Sequence, residues 1–322
     1  MDFGVVTACC NKDYFFVKAT CESIVHFMPG VPICVIVDGE FSIAELEDLY
    51  GVIPLYINQI KNLELKKACQ KSGRSKLLSF WEGPFEKFLY LDCDAIVWGN
   101  LLDSLDWSDS DFIVFTRQLT DSLSKHELSN YFFDVDLLLS NLDPEFQWQN
   151  RPYFCSGAFC SKRNAINLQD FLRINEFRQE HPKLFWGNDQ GILNYLVFKS
   201  ADRGILKYSV QDLQYIPVDH KLKTTKELFP VSINNLPETV EKKTVIHFCG
   251  YKPLIQNEII NQGKVYFLPF TSFRLAHYRR AYRTNFLSLI LAWGRIFIEE
   301  FQIVLLRISR KINVFLSRNS DF

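Results

Sequence analysis

Apolar runs and helix-spaced segments alternate along the first half of this chain, and that alternation restricts the folds open to it. Phe3 to Cys9 is an apolar run suited to a buried strand. Tyr14 to Met28 follows with apolar residues at helical spacing and stops before Pro29. Ile33 to Val37 is a second apolar run, closed by the turn signal Asp38-Gly39. Ile43 to Tyr50 reads as a helix and Val52 to Ile57 as a strand. Strands buried on both faces read as unbroken apolar runs, and helices between them supply the crossovers of a largely parallel sheet. The expected class is therefore α/β.

The pattern continues with helical material from Leu63 to Trp81, broken near Gly73. Phe88 to Leu91 is a short buried strand that ends at Asp92-Cys93-Asp94. Phe112 to Phe115, Tyr153 to Cys160 and Val245 to Phe248 are further strand candidates. Asn164 to Gln179 and Asp189 to Lys199 read as helices. A chain of 322 residues can bury a sizeable core, and 48% hydrophobic against 23% charged residues is globular composition. Composition shifts only near Thr271. Residues 271–322 carry nine Lys or Arg against three Asp or Glu, a net +6, which leaves −7 for the body of a chain whose net charge is −1. This divides the chain into a domain over 1–270 and a basic tail over 271–322. An acidic body argues against a nucleic-acid partner.

The tail places Phe286, Ile290, Trp293, Phe297, Phe301, Val304, Ile308, Ile312 and Phe315 at steps of three and four, one helical stripe. Arg295, Glu299, Arg307, Arg310, Lys311 and Arg318 lie largely off it. Such a helix packs on the body or on a twin subunit, or lies on an anionic membrane surface. The nine cysteines sit mostly in strand-like runs and none has zinc-finger spacing, so buried reduced thiols are expected. The N-terminus lacks a signal peptide's basic start, and the uncharged stretch Thr284 to Gly294 is well short of the roughly 20 residues that span a bilayer. The expectation is a cytoplasmic protein, peripheral to a membrane through its tail.

In open α/β sheets, ligands bind beyond the carboxyl ends of the strands. Asp92 and Asp94 occupy such an end, and His247 lies near the end of its own strand. Two carboxylates at i and i+2 can share one hard cation; Mg²⁺ and Mn²⁺ prefer oxygen ligands and hold phosphate oxygens at the same time. Such an ion stabilises the charge that develops on a nucleoside diphosphate leaving a sugar. Two other readings stay open. The pair can be solvated turn residues, or Asp92 can be the nucleophile of a haloacid-dehalogenase-type phosphatase. That nucleophile typically lies on the first core strand, whereas several strand–helix units precede Asp92.

Four segments carry a family resemblance in order. They are Ser75-Lys76-Leu77 through Trp81 with Phe88 to Val97, then Cys155-Ser156-Gly157-Ala158-Phe159, Asp189-Gln190-Gly191-Ile192-Leu193-Asn194, and His247-Phe248-Cys249-Gly250-Tyr251-Lys252-Pro253. Together they resemble glycosyltransferase family 8, retaining GT-A enzymes that include glycogenin and bacterial lipopolysaccharide galactosyltransferases. The resemblance implies a GT-A fold, a Rossmann-like mixed sheet flanked by helices. It also implies transfer of a hexose, with retention, from a nucleoside-diphosphate sugar such as a UDP-sugar to a glycan or glycolipid hydroxyl.

By the same resemblance Asp92, Asp94 and His247 hold Mn²⁺ or Mg²⁺, and Lys76 and Lys252 meet the diphosphate. Gly250 lets the backbone approach the phosphates. Val6 to Asn11 with Tyr14 resembles the nucleobase loop, with Thr7, Ala8 and Asn11 at the donor and Tyr14 either stacked on the base or buried in the core. Cys93, Cys155, Ser156 and Gly157 line the donor, and Asp189 and Gln190 are candidates for the reacting centre. For Lys76 and Lys252 a solvated surface position is the alternative, the more so for Lys76, and for Asp189 a helix start. Cys155 stands where the family has Asn, Leu254 where it has Trp, and the Gly250–Lys252 spacing is one residue short, so the sugar and acceptor stay open. A chain that binds the donor without turnover is the non-enzymatic alternative.

Overall fold

The computed structural model describes residues 1–70, 73–116, 123–185, 189–232, 235–260, 266–282, 290–303 and 305. The order is β1 (Phe3–Cys10), α1 (Tyr14–Phe27), β2 (Ile33–Asp38), α2 (Ala44–Tyr50), β3 (Ile53–Tyr56), α3 (Leu63–Cys69), β4 (Lys87–Asp92), β5 (Ala95–Trp98) and β6 (Phe112–Phe115). Then come α4 (Lys125–Tyr131), α5 (Val135–Leu137), β7 (Ala158–Lys162), α6 (Leu168–Glu180), α7 (Asp189–Asp202), β8 (Tyr208–Gln211) and β9 (Gln214–Tyr215). The last named elements are α8 (Leu222–Leu228), β10 (Thr244–His247), α9 (Ile255–Ile260) and α10 (Leu268–Tyr282), and residues 290–303 are helical.

Seven strands form one sheet in the order β3-β2-β1-β4-β7-β6-β8. All neighbours are parallel except β7, which runs antiparallel to β4 and β6. A side-chain period of two sends alternate residues to opposite faces. Val5, Val35, Val37, Leu89 and Leu91 enter one core, while Val6, Cys34, Ile36, Phe88 and Tyr90 enter the other. Burial on both faces is the reason these strands read as continuous apolar runs. The expected α/β class is found as a mixed sheet flanked by helices. A smaller sheet, β5-β10-β9, packs into the first of the two cores.

Several boundaries differ from the sequence reading. The expected strand Tyr153 to Cys160 begins only at Ala158. The Asn194 side chain takes both the N–H and the C=O of Phe154, so residues 153–157 turn toward the site instead of joining the ladder. The expected helix from Asn164 starts at Leu168, because Asn164 has φ +59 and Asn167 caps the Asp170 N–H. The Leu63 to Trp81 segment splits into α3 and a 3-10 helix, Arg74–Phe80, on either side of Gly73. All nine cysteines are free. Among the described residues no helix is long and apolar enough to cross a membrane.

The 290–303 helix buries Ala292, Ile296, Glu299 and Glu300. The stripe residues Ile290, Phe297 and Phe301 are exposed instead, and Trp293 is half-buried. Of the remaining tail residues named above, Phe286, Val304, Arg307, Ile308, Arg310, Lys311, Ile312, Phe315 and Arg318 lie outside the described residues. The buried ammonium of Lys18 on α1 meets Glu45 at 2.8 Å and Glu299 at 3.2 Å, and His277 of α10 reaches Glu45 at 3.0 Å. Burial alone raises the Glu45 carboxyl, but the hydrogen bonds from His277 and Lys18 overcome it and hold the group at about 2.

A depressed acid stabilises the fold above its unfolded pKa and loses that contribution as pH falls through its folded value. Glu45→Gln is therefore expected to lower the melting temperature most above about pH 4.5, with the gap to wild type closing toward about pH 2. Thermal melts of both chains across that range check it; a gap that is constant with pH counts against the cluster.

Candidate active site

The carboxyl ends of three adjacent parallel strands deliver Cys10, Asp38 and Asp92 to one edge of the sheet. They line a cavity of about 1180 Å³. Asp92 closes β4 in the large sheet and Ala95 opens β5 in the small one, so the Asp92-Cys93-Asp94 turn bridges the two sheets. β10 then runs antiparallel to β5 with His247 opposite Ala95, and the Phe248 N–H donates to the Asp94 carbonyl at 3.1 Å. That pairing brings a residue far downstream against the aspartate turn.

His247 Nε2 lies 3.5 Å from Asp94 Oδ1 and 3.6 Å from Asp92 Oδ2. These donor atoms all fall within 4.8 Å of one another, and Asp94 and His247 are buried. Two carboxylates and one imidazole suit Mn²⁺ or Mg²⁺, so the residues fit a hard cation. Burial pushes the Asp94 carboxyl up, but the hydrogen bond from His247 and the charge of Lys252 overcome it and hold the group well below the carboxylate range. Burial likewise opposes the charged form of His247, yet Asp94 raises its pKa on balance. Lys252 Nζ sits 2.6 Å from Asp94 Oδ2.

Lys76 is not a surface lysine. It is 6% exposed on the Arg74–Phe80 3-10 helix, with Nζ 2.9 Å from both Asp92 Oδ1 and Asp189 Oδ2. Burial alone disfavours its charge, and the two carboxylates reverse that and raise its pKa. Asp189 opens α7 and accepts a 2.7 Å hydrogen bond from the Ser156 hydroxyl. The Gln190 amide accepts from the Ser156 N–H at 3.2 Å and donates to the Tyr131 carbonyl at 2.9 Å. Lys76, Asp92, Asp189 and Ser156 thus form one connected polar group.

Gly157 packs flat on the imidazole. A Cβ there would stand 2.0 Å from His247 Cε1, inside any possible contact. Its carbonyl accepts from the Asp92 N–H at 2.8 Å. Gly157→Ala is expected to displace the ring and weaken the affinity of the three residues for a divalent cation about 10–100-fold, as loss of a ligand's supporting contact does. Mn²⁺ titration followed by electron paramagnetic resonance measures it; unchanged affinity would show that the ring is free to move.

The remaining sequence candidates divide. Ala8, Asn11, Tyr14 and Cys93 line the cavity. Thr7 is fully buried within β1, and its hydroxyl has no hydrogen-bond partner among the described residues. Gly250 follows β10 with φ +80 and open space around its Cα, a backbone conformation that glycine adopts without strain. The Cys155 sulfur faces His247 Nδ1 at 3.5 Å. Its thiol donates to Cys249, which raises Cys155; that bond and the nearby His247 charge bring Cys249 down to about 6.

Sequence reasoning missed Tyr90, whose hydroxyl donates to Asp92 at 3.0 Å, and the buried Lys18 in the cavity wall. It also missed Arg295, Glu299 and Gln302, tail residues that close one side of the cavity. Asp38 was read as a turn signal alone, although its strand-end position matches that of Asp92.

A parallel β3-β2-β1-β4 core, an antiparallel β7, and an acidic turn linking the large sheet to a small one define the GT-A fold of glycosyltransferases. The chain is similar to the galactosyltransferase LgtC, solved with donor and acceptor sugar analogues, at TM-score 0.51 and 19% identity over 85% of this chain and 95% of that one. It is similar also to the apo bifunctional glycosyltransferase WbbM, at TM-score 0.52 and 13% identity, covering 87% of this chain and 51% of that one. No protein-family profile matches the sequence, and no curated protein matches it significantly.

Proposed function

We propose that this chain is a retaining glycosyltransferase of the family 8 type, moving a hexose from a nucleoside-diphosphate sugar, such as a UDP-sugar, to a hydroxyl of a glycan or glycolipid. One observation carries the reading: two carboxylates, Asp92 and Asp94, and two lysines line the cavity beside Asp189, with the buried His247 imidazole 3.5 and 3.6 Å behind the carboxylates. Asp92, Asp94 and His247 would hold a divalent cation, Mn²⁺ by the family resemblance. When bound, that ion offsets the charge gathering on the leaving diphosphate.

Lys252 and Lys76 supply fixed positive charge to the same groups. Ala8, Asn11 and Tyr14 lie where a nucleobase enters, with Thr7 in the strand behind them. Cys93, Cys155, Ser156 and Gly157 border the sugar, and Gly250 allows close backbone approach. Asp189 already accepts from Lys76 and Ser156, which leaves it a weak nucleophile. This favours same-face attack, with Gln190 beside the oxocarbenium-like sugar, over a covalent glycosyl-enzyme. A panel of nucleotide sugars with Mn²⁺, scored for nucleoside-diphosphate release and controlled with Asp94→Asn, tests the function. No release with any donor, or equal release by the variant, overturns it.

The domain over 1–270 would work at a membrane, held on the cytoplasmic face by the basic tail 271–322. The exposed Ile290, Leu291, Phe297, Ile298 and Phe301 give the 290–303 helix an outward apolar side, and the tail's +6 charge suits anionic lipid. Deleting residues 271–322 would also take the buried Phe273, Leu275 and Tyr278 of α10 out of the core, so a point variant is the cleaner probe. Phe297→Ser with Phe301→Ser is expected to weaken sedimentation with anionic liposomes by at least about tenfold, given roughly 1.5–3 kcal/mol per inserted Phe. Unchanged binding refutes the membrane role and leaves a twin subunit as the occupant.

A further inference from the structure

We propose that Cys155, Cys249 and His247 form a second cation site, selective for a soft divalent ion such as Zn²⁺. Nothing in the transfer reaction uses these two thiols together, and the inference stands whether or not the glycosyltransferase reading does. Cys155 lies in the turn ahead of β7, and Cys249 lies two residues beyond His247, just past β10. The fold thus brings both sulfurs to one imidazole from separate elements. The donor atoms of the three residues all lie within 4.8 Å of one another.

The spacing fits the ion. A tetrahedral zinc site with Zn–S of about 2.3 Å and Zn–N of about 2.0 Å has an S···N edge of about 3.5 Å. The Cys155 Sγ···His247 Nδ1 distance is 3.5 Å. The Gln214 Nε2 lies 3.1 Å from the same nitrogen and would have to give way to an ion bound there. Thiolate ligands select soft ions over Mn²⁺ and Mg²⁺, which choose oxygen.

The two sites use opposite sides of one ring. The aspartates face Nε2, at 3.5 and 3.6 Å, whereas Cys155 and Gln214 face Nδ1. His247 is buried while both cysteines are partly exposed, which leaves an ion a way in. An ion there would fix the orientation of the ring that the aspartates share.

Co²⁺ is the probe, because cobalt bound to thiolate shows a ligand-to-metal charge-transfer band that carboxylate or imidazole ligands do not give. The full chain, reduced beforehand, is titrated with Co²⁺. One equivalent is expected to develop the band, and Zn²⁺ is expected to abolish it by displacement. Cys155→Ser and, separately, Cys249→Ala should each lose it, with unchanged far-ultraviolet dichroism showing that the fold persists. Asp92→Asn with Asp94→Asn should keep it. No thiolate band in the native chain, or a band that survives both cysteine substitutions, overturns the site. A band lost on aspartate substitution overturns its separateness from the hard-cation site.

Discussion

Asp94→Asn is expected to lower nucleoside-diphosphate release about 10³-fold at saturating donor, while the fold stays intact. The substitution keeps the shape of the side chain and removes one unit of negative charge. Asp94 is the buried member of the aspartate pair, pinned between His247 and Lys252. Without it a divalent cation loses one of two anionic ligands, and Lys252 loses its partner. Preorganised charge at a leaving group is worth on the order of 10²–10³ in rate per group removed, and loss of cation affinity adds to that. Lys252 is 39% exposed and can turn toward water, so the melting temperature should move little. Activity within tenfold of wild type, measured at Mn²⁺ and donor concentrations that saturate the native chain, would remove the aspartate pair from the mechanism.

The parts of this arrangement legible from the sequence are those that local pattern encodes. Asp92 and Asp94 could be found because an apolar strand that stops at two acids has one place to put them, the carboxyl edge of a sheet. Pattern alone put His247 near a strand end, but only the family resemblance joined it to the aspartates as a ligand. Its place depends on β10 pairing with β5, and β5 is only four residues, not picked out as a strand of its own. A contact across some 150 residues leaves no trace in periodicity. Lys76 shows the same limit, since nothing local distinguishes a buried ionic lysine from a solvated one. The Tyr153 to Cys160 segment failed differently: its composition suits a strand, but the Asn194 side chain takes the backbone bonds of Phe154 that a ladder needs.

The tail inverted the usual rule. Helical spacing grouped the aromatic residues into one face and left Glu299 off it, which ordinarily marks a solvated side. The structure instead buries Glu299 and Glu300 and exposes Phe297 and Phe301. Charges can be buried only when oppositely charged partners wait at the other surface, and those partners, Lys18 and Arg274, lie on α1 and α10. Lys18 lies outside the tail, and Arg274, though within it, is 26 residues from Glu300, so helical spacing pairs neither with the acids.

That burial sets up a large stability effect. Arg274 is fully buried, with Nη1 2.9 Å from Glu300 Oε1 and its guanidinium 5.0 Å from the Phe15 ring centroid. Glu300 also accepts from the Ile255 N–H at 3.1 Å, tying the 290–303 helix to the start of α9. Glu300→Ala is expected to destabilise the chain by about 3–5 kcal/mol, because it strands a buried cation. At a few degrees per kcal/mol, this is a fall in melting temperature on the order of 10 °C. The pair itself is imperfect: Arg274 Nη2 approaches Glu299 only to 3.5 Å, and Nε makes no hydrogen bond among the described residues. Replacing both partners by apolar residues, Arg274→Met with Glu300→Leu, should therefore recover much of what either single change loses. Thermal melts of the two single variants and the double variant decide it. If the two losses simply add, Arg274 and Glu300 do not act as a pair, and the tail is held by its apolar contacts instead.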